Sequence, residues 1–417
     1  MKTLARDAGV LRLEGVSLAA VAEQFATPCY VYSRAALEGA FRDFDEGLAG
    51  IEHLVCYAVK ANSNLAVLDI LARLGAGFDI VSGGELARVL AAGGRADRII
   101  FSGVGKSAAE IDAALAAGIK CFNVESEPEL ERLDAAAARA GKVAPVSLRI
   151  NPDVDARTHP YISTGMAGNK FGIPHGHALE VYRRAARMAN VRIAGIDCHI
   201  GSQILETAPL DAALERVLEL VERLRAEGIR LEHVDLGGGF GIRYRDEHPL
   251  DFRAYARHLA TRLAGRGIAL LLEPGRAIAG NAGLLLTRVE YLKLDKAKRF
   301  AVVDASMSEL IRPALYGAWH DIVRVDERGV RAAQRYEVVG PVCESTDVLG
   351  VDRELAIDAG DLLAILSAGA YAMVMSSNYN SRPRPAEVLV DGMRVVQVRE
   401  RESIASLFAR ESRLPAA

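Results

Sequence analysis

Between about residue 50 and residue 275 the sequence repeats one unit eight times: a short apolar run, a polar residue at its end, then a stretch rich in Ala, Leu, Glu and Arg. The runs fall at 53–59, 77–81, 98–101, 120–124, 145–150, 192–198, 233–236 and 268–272. Apolar runs of strand length alternating with helical patterns read as successive βα units. Eight of them in this length of chain predict a closed (β/α)8 TIM-like barrel, whose active site lies at the C-terminal ends of its strands. The polar residues fall at those ends: Lys60, Asp79, Asn123, Arg149, His199, the glycines after Asp235, and Glu273. A doubly wound open sheet would spread ligand contacts over fewer strand ends.

After Glu273 the texture changes to short β-like runs punctuated by Gly, Pro and Asp, and helical periodicity nearly disappears. The chain has 417 residues, more than one core usually supports. The fold class read here is α/β, with a barrel domain at 29–275 and a C-terminal mostly β domain at 276–417. Segment 1–28 is expected to join the β domain through Pro28. The connection from Asn151 to Ile173 is long and polar for a βα loop, which points to a functional role at the barrel mouth.

Half the residues are apolar and the net charge is −3, so the chain lacks the basic footprint of a nucleic-acid or membrane-surface binder. Arg6 and Asp7 interrupt the N-terminus before an apolar signal core can develop, and no apolar run is long enough to span a bilayer, so a cytoplasmic location is expected. Cys29, Cys56, Cys121, Cys198 and Cys343 are far apart and form no Cys-x-x-Cys pair. That spacing argues against zinc and against a disulfide framework; no metal site is expected, and a free cysteine is by default a small buried apolar residue.

Lys60 ends an apolar run, so its amine is expected to point into the barrel mouth. It is either a snorkelling surface lysine or, partly desolvated, a reactive amine suited to Schiff-base chemistry with a carbonyl cofactor. Gly237, Gly238 and Gly239 follow the seventh run, where barrels recurrently bind phosphate and where consecutive glycines let backbone N–H groups approach an anion; a mere turn is the alternative. Glu273, Pro274, Gly275 and Arg276 end the eighth run. They supply either a structural ion pair or a carboxylate able to keep a pyridine nitrogen protonated. His199 and Ser202 add an imidazole that could stack on a planar ring and a hydroxyl within reach of a phosphate.

The set Tyr57-Ala58-Val59-Lys60-Ala61-Asn62, Cys198-His199-Ile200-Gly201-Ser202, the glycine run, Glu273-Pro274-Gly275-Arg276, Cys343-Glu344-Ser345-Thr346-Asp347 and Gly369-Ala370-Tyr371 resembles the bacterial diaminopimelate decarboxylase family, in order, over essentially the whole chain. The resemblance implies an alanine-racemase-like fold and pyridoxal 5'-phosphate as cofactor, in a homodimer with active sites at the subunit interface. It implies a Schiff base on Lys60 supported by Asp79, His199 stacked on the ring, and Glu273 on the pyridine nitrogen. Ser202, Gly237, Gly238, Gly239, the loop of Pro274, Gly275 and Arg276, and Tyr371 would surround the phosphate. Arg276, Arg312 and Tyr316 resemble the family's clamp for a substrate carboxylate, a task that suits a planar guanidinium. Tyr371 would also border the substrate, Glu344 would recognise the distal ammonium, and Cys343 from the partner subunit would be the proton donor.

The implied reaction is decarboxylation of meso-2,6-diaminopimelate to L-lysine and CO2, with a related diamino or amino acid as the alternative substrate. Ornithine decarboxylases typically carry aspartate and glycine after the corresponding cysteine, whereas Glu344 and Ser345 stand here. A site built to pair both distal groups rejects an analogue lacking them by about 10⁴-fold. Amino-acid racemases on the same fold are generally shorter and use a tyrosine as the second acid–base group, and Cys343-Glu344 speaks against that reading. A non-catalytic relative would not keep Lys60, His199, Glu273, Arg276 and Tyr371 together. The departures are small: Ala26 replaces a frequent glycine, and Thr346 a frequent serine.

Overall fold

The computed structural model describes residues 3–155, 170–295, 298–329 and 331–415. The chain divides into two compact units, one of Glu38–Arg243 with Glu247–Ile278, the other of Met1–Leu37 with Tyr244–Asp246 and Ala279–Ala417.

The first unit is a closed barrel. Its strands are His53–Ala58, Gly77–Ile80, Ile99–Phe101, Cys121–Val124, Ala144–Asn151, Val191–Asp197, His233–Asp235 and Ala269–Leu272, each end within one residue of the predicted run. Every strand runs parallel to the next, and Leu270, Leu271 and Leu272 of the eighth pair with His53, Leu54 and Val55 of the first to close the ring. Leu54, Cys56, Ile100, Cys121, Ala194 and Leu271 pack into an apolar cluster, alternate residues of a strand facing inward as the two-residue period dictates. All five cysteines are free; four are buried, as expected, and Cys343 is exposed. Helix ends carry their own signals: Ser107 and Glu110 form a capping box on Ala108–Ala117, and Gly118 ends it at φ 73°.

One detail of this unit departs from the sequence reading. The first strand stops at Ala58, and Lys60 rides on a 3₁₀ turn, Val59–Ala61, rather than on the strand itself. The turn is held where it is because Ala58 N–H donates to Pro274 O at 3.2 Å. Gly275 leaves room for it: a Cβ there would stand 3.0 Å from the Cβ atoms of both Ala58 and Ala61. Of the long connection expected to be functional, residues 156–169 lie outside the described residues; Ile173–Pro174 pairs parallel with the end of the fifth strand.

The second unit is mostly β. Its main sheet runs in the order Val348–Leu355, Gln334–Val339, Arg299–Val303, Gly283–Leu294, Cys29–Ser33, Ala386–Asp391, Arg394–Arg399, with Leu362–Ile365 and Ile322–Arg324 branching from Gly283–Leu294. A small antiparallel sheet of Leu4–Asp7, Val10–Leu13 and Val16–Ser17 packs its Leu11, Leu13 and Val16 into the same core as Val31, Leu284 and Val388. Cys29–Ser33, placed at the start of the barrel domain by the sequence reading, is a central strand here, antiparallel to Gly283–Leu294 and parallel to Ala386–Asp391. Every residue of it is buried, which a strand with neighbours on both edges and cover on both faces requires.

Candidate active site

In the barrel unit the side chains at the strand ends converge. Lys60 Nζ lies 2.6 Å from Asp79 Oδ2, with the lysine side chain 37 % exposed and the aspartate fully buried. The amine therefore reaches the open mouth while its counter-ion fixes it from below. Asp79 Oδ1 has no hydrogen-bond partner among the described residues.

Glu273 is buried at the end of the eighth strand, and its Oε1 accepts from Asn123 Nδ2 at 3.3 Å and from Ser102 Oγ at 3.4 Å. Asn123 also donates to Ser102 Oγ at 3.1 Å, so three side chains from the third, fourth and eighth strand ends lock one another. Burial, reinforced by Asp235, Asp79 and Asp197, pushes the Glu273 carboxyl well above the usual carboxylate range. Arg149 pairs with Glu125 at 2.7 Å and lies 3.9 Å from Asp197.

The glycine run has a steric reason that the sequence reading did not contain. A Cβ on Gly238 would stand 2.1 Å from Glu273 O; one on Gly239, which has φ +87°, would stand 2.3 Å from Gly201 O. The seventh-strand loop thus threads between the loops of the sixth and eighth strands. Gly237 N–H donates to Asp235 Oδ1 at 2.9 Å and Gly238 N–H to His199 Nδ1 at 3.2 Å. These two N–H groups are committed to side chains, so Gly237 and Gly238 shape the surroundings of an anion site rather than donating to the anion.

With Nδ1 accepting, the proton of a neutral His199 sits on Nε2. Burial, followed by the nearby Arg149 and Lys60 cations, drives the imidazole's pKa well down and keeps it uncharged. Ser202 Oγ accepts from Arg276 Nη2 at 2.9 Å, which puts a hydroxyl and a guanidinium in one corner. Lys60, Asp79, His199, Gly237, Gly238, Gly239, Ser202, Glu273, Pro274, Gly275 and Arg276 all belong to this unit.

The remaining predicted residues belong to the β unit. Arg312, buried at the start of the short helix Arg312–Tyr316, has its guanidinium 4.6 Å from the centre of the Tyr244 ring and its Nη1 2.9 Å from His320 Nε2. His320 Nδ1 in turn lies 2.8 Å from Leu366 O. An Nδ1–H bonded to that carbonyl leaves Nε2 as acceptor for Arg312. Tyr316 is half-buried at the end of the same helix.

Cys343, Glu344, Ser345 and Thr346 are exposed on a turn organised by Asp347, whose carboxylate accepts from Met307 N–H at 2.6 Å and Val342 N–H at 2.8 Å. Cys343 N–H donates to Asn380 Oδ1 at 3.0 Å, and Tyr379 Oη donates to Glu344 Oε1 at 2.6 Å. Tyr371 adopts φ +55°, a conformation that strains a residue with a side chain and that proteins tend to keep at functional positions.

Comparison with known proteins decides what this set belongs to. Residues 34–280 match the family model for the pyridoxal-binding domain of pyridoxal-dependent decarboxylases. The diaminopimelate decarboxylase of Pseudomonas fluorescens is 59 % identical over 98 % of this chain and 98 % of its own length. This chain belongs to the diaminopimelate decarboxylase family.

Solved structures of diaminopimelate decarboxylases agree. That of Helicobacter pylori complexed with L-lysine superimposes with a TM-score of 0.91 at 41 % identity, covering 94 % of this chain and 98 % of that one. That of M. jannaschii reaches 0.94 at 37 % identity, covering 99 % and 98 %. The family takes pyridoxal phosphate, and the barrel residues fit it. They offer a reachable lysine amine, a corner with a cation and a hydroxyl for an anionic group, and buried carboxylates short of positive charge for a protonated ring.

The strand-end rule found most of these positions. Ser102 went unnoticed, although it directly follows the third strand. Tyr244 and His320 carry no local signal, since their role comes only from meeting Arg312.

Proposed function

We propose that this chain removes one carboxylate of meso-diaminopimelate as CO2 and yields L-lysine, using pyridoxal phosphate held on Lys60. The observation that carries this reading is the Lys60–Asp79 pair at the mouth of a barrel whose floor holds Glu273 among other buried acids. The L-lysine in the H. pylori relative's structure supports the product assignment.

Pyridoxal phosphate supplies a carbonyl carbon that condenses with amines and a conjugated ring that accepts the electron pair of a breaking Cα–carboxylate bond. Asp79 holds the Lys60 amine for its exchange with the substrate amine. Glu273, oriented by Asn123 and Ser102, would keep a proton on the pyridine nitrogen, and neutral His199 would lie against the ring without adding charge. Ser202 and Arg276 would hold the phosphate, with Gly237, Gly238, Gly239, Pro274 and Gly275 shaping its cradle and Tyr371 bordering it. Arg312 and Tyr316, with Arg276, clamp the substrate's distal carboxylate, and Glu344 takes its distal ammonium. Cys343 delivers a proton to Cα after CO2 leaves. The exposed placement of residues 343–346 supports a donor presented to a second copy, in a homodimer with its active sites at the interface. Among the described residues no helix is long and apolar enough to cross a membrane, and we place this biosynthetic reaction in the cytoplasm.

The test is chemical. Borohydride reduction of the purified protein should fix the cofactor on Lys60, read by peptide mapping. A colourless protein, or a label on another residue, contradicts the assignment.

A further inference from the structure

Beneath Glu273 lies a group of buried acids that the reaction as described does not use. Asp197, Asp235 and Glu273, from the ends of the sixth, seventh and eighth strands, each bring a carboxylate oxygen within 4.8 Å of the others. Asp197 is 1 % exposed, Asp235 0 % and Glu273 6 %. Asp197 Oδ1 and Asp235 Oδ2 find no hydrogen-bond partner among the described residues. Bringing that many ionised carboxylates together out of water costs far more than the pairing available can return. Arg149 is already committed to Glu125 and Asp197, and Lys60 to Asp79. Among the described residues no cation stands within ion-pair distance of Asp235 or Glu273. Asn123 and Ser102 face the group as neutral donors, and burial keeps the Cys56 and Cys121 thiols protonated. The cluster is therefore short of positive charge.

We propose that Asp235 and Glu273 share one proton in the cofactor-free chain and pass it to the ring nitrogen when pyridoxal phosphate binds, which makes Asp235 a positioning residue acting through Glu273. The step balances: an O–H bond of the carboxyl pair breaks, an N–H⁺ bond forms, and two carboxylates are left ionised beside one pyridinium. Asp197 stands behind them as a third acid, its carboxyl pushed well up by burial and by Asp235 and only partly offset by Arg149 at 3.9 Å. Two buried carboxylates this close disfavour ionising together without a compensating proton or cation, as paired aspartates in acid-base enzymes do at shorter range. Burial, with Asp79 adding to it, pushes Asp235 up to about 7, consistent with a proton retained at neutral pH. Once the ring is in place, the second carboxylate raises the ring nitrogen's proton affinity above what Glu273 alone would give. Burial of a like-charged pair, otherwise a defect, becomes a device for keeping the ring's electron sink open.

This inference rests on Glu273 being the ring nitrogen's partner, and the test separates the two ideas. The full chain is loaded with pyridoxal phosphate labelled with ¹⁵N in the ring. Proton uptake on loading is measured by calorimetry in two buffers of different ionisation enthalpy, and the ¹⁵N shift is followed against pH. Asp235→Asn should take up about one more proton from the buffer than the unsubstituted chain at neutral pH, because its Glu273 no longer stores one. Its ring nitrogen should lose its proton at lower pH, and Asp235→Glu should restore both readings. The unsubstituted chain should also show an infrared carbonyl stretch of a protonated carboxyl that disappears on loading, a reading that needs no variant to fold. Equal proton uptake in Asp235→Asn, or no such stretch, would overturn the proposal, as would a stoichiometric divalent cation in the purified protein that Asp235→Asn loses. If Glu273→Gln leaves the ¹⁵N shift unmoved, the partner assignment itself fails. If Glu273→Gln moves it and Asp235→Asn does not, only the shared proton is wrong.

Discussion

Gly238 N–H donates to His199 Nδ1 at 3.2 Å, and the same glycine passes so close to Glu273 that a Cβ would stand 2.1 Å from its carbonyl oxygen. One residue without a side chain thus sets both the tautomer of the imidazole and the spacing between the seventh and eighth strand loops. The obstacle is backbone, which has no rotamer with which to step aside.

Gly238→Ala is accordingly expected to destabilise the fold by about 1–3 kcal/mol, the usual cost of forced overpacking. Cofactor affinity should fall at least about tenfold, equivalent to about 1.4 kcal/mol. The control is Gly39→Ala, where a Cβ meets nothing within 4 Å on the helix Arg34–Gly47. It should leave affinity unchanged and stabilise the helix by about 0.5–1 kcal/mol. A cofactor titration by absorbance and a thermal melt of each variant check both.

Glu85 gives a pH signature. Its Oε2 accepts from Val81 N–H at 2.7 Å, and burial, with the charge of Asp79 adding to it, pushes its carboxyl from 4.5 to about 7. The folded chain holds that proton more tightly than the unfolded one, so the stabilising contribution is complete below pH 4.5 and is lost as pH rises through about 7. Glu85→Gln keeps an acceptor for Val81 but has no proton to lose. Its melting temperature relative to the unsubstituted chain should rise between pH 4.5 and 7 and level off above; a flat difference would show that Glu85 titrates normally.

The capping box at Ser107 is a purely structural counterpart. Ser107→Ala should cost about 1 kcal/mol of stability through the lost N-cap bond to Glu110 N–H. Turnover per folded molecule should not change, measured at a temperature well below the melt.

Cys343 tests the division of labour between the units. Cys343→Ala should retain bound cofactor, since the residues proposed to hold it, Tyr371 apart, belong to the barrel unit. Lysine formation should slow by about 10²-fold or more, the ordinary weight of one general acid. Unchanged turnover would remove Cys343 as the proton donor.

The barrel was legible because each strand is an apolar run ended by a chemically distinctive residue, so that local pattern and global fold agree. Cys29–Ser33 was misplaced for the opposite reason: its own residues read as a strand, but its partners at 283–286 and 386–390 lie some 250 to 360 residues away, and nothing local names them. Asp197 and Asp235 were visible as letters in their motifs, yet their closeness to Glu273 arises only when three strand ends curl around one axis. Tyr244 shows the same limit, because it sits within the barrel's stretch of sequence and packs on Arg312 of the β unit.

The central claim is the reaction, and release of CO2 from carboxyl-labelled substrates measures it most directly. The purified, cofactor-loaded chain should release CO2 from meso-diaminopimelate with L-lysine as product, and should favour it by about 10⁴-fold over L-lysine, L-ornithine and L-arginine, each of which lacks the distal carboxylate. Equal or faster release from any of those three would contradict it.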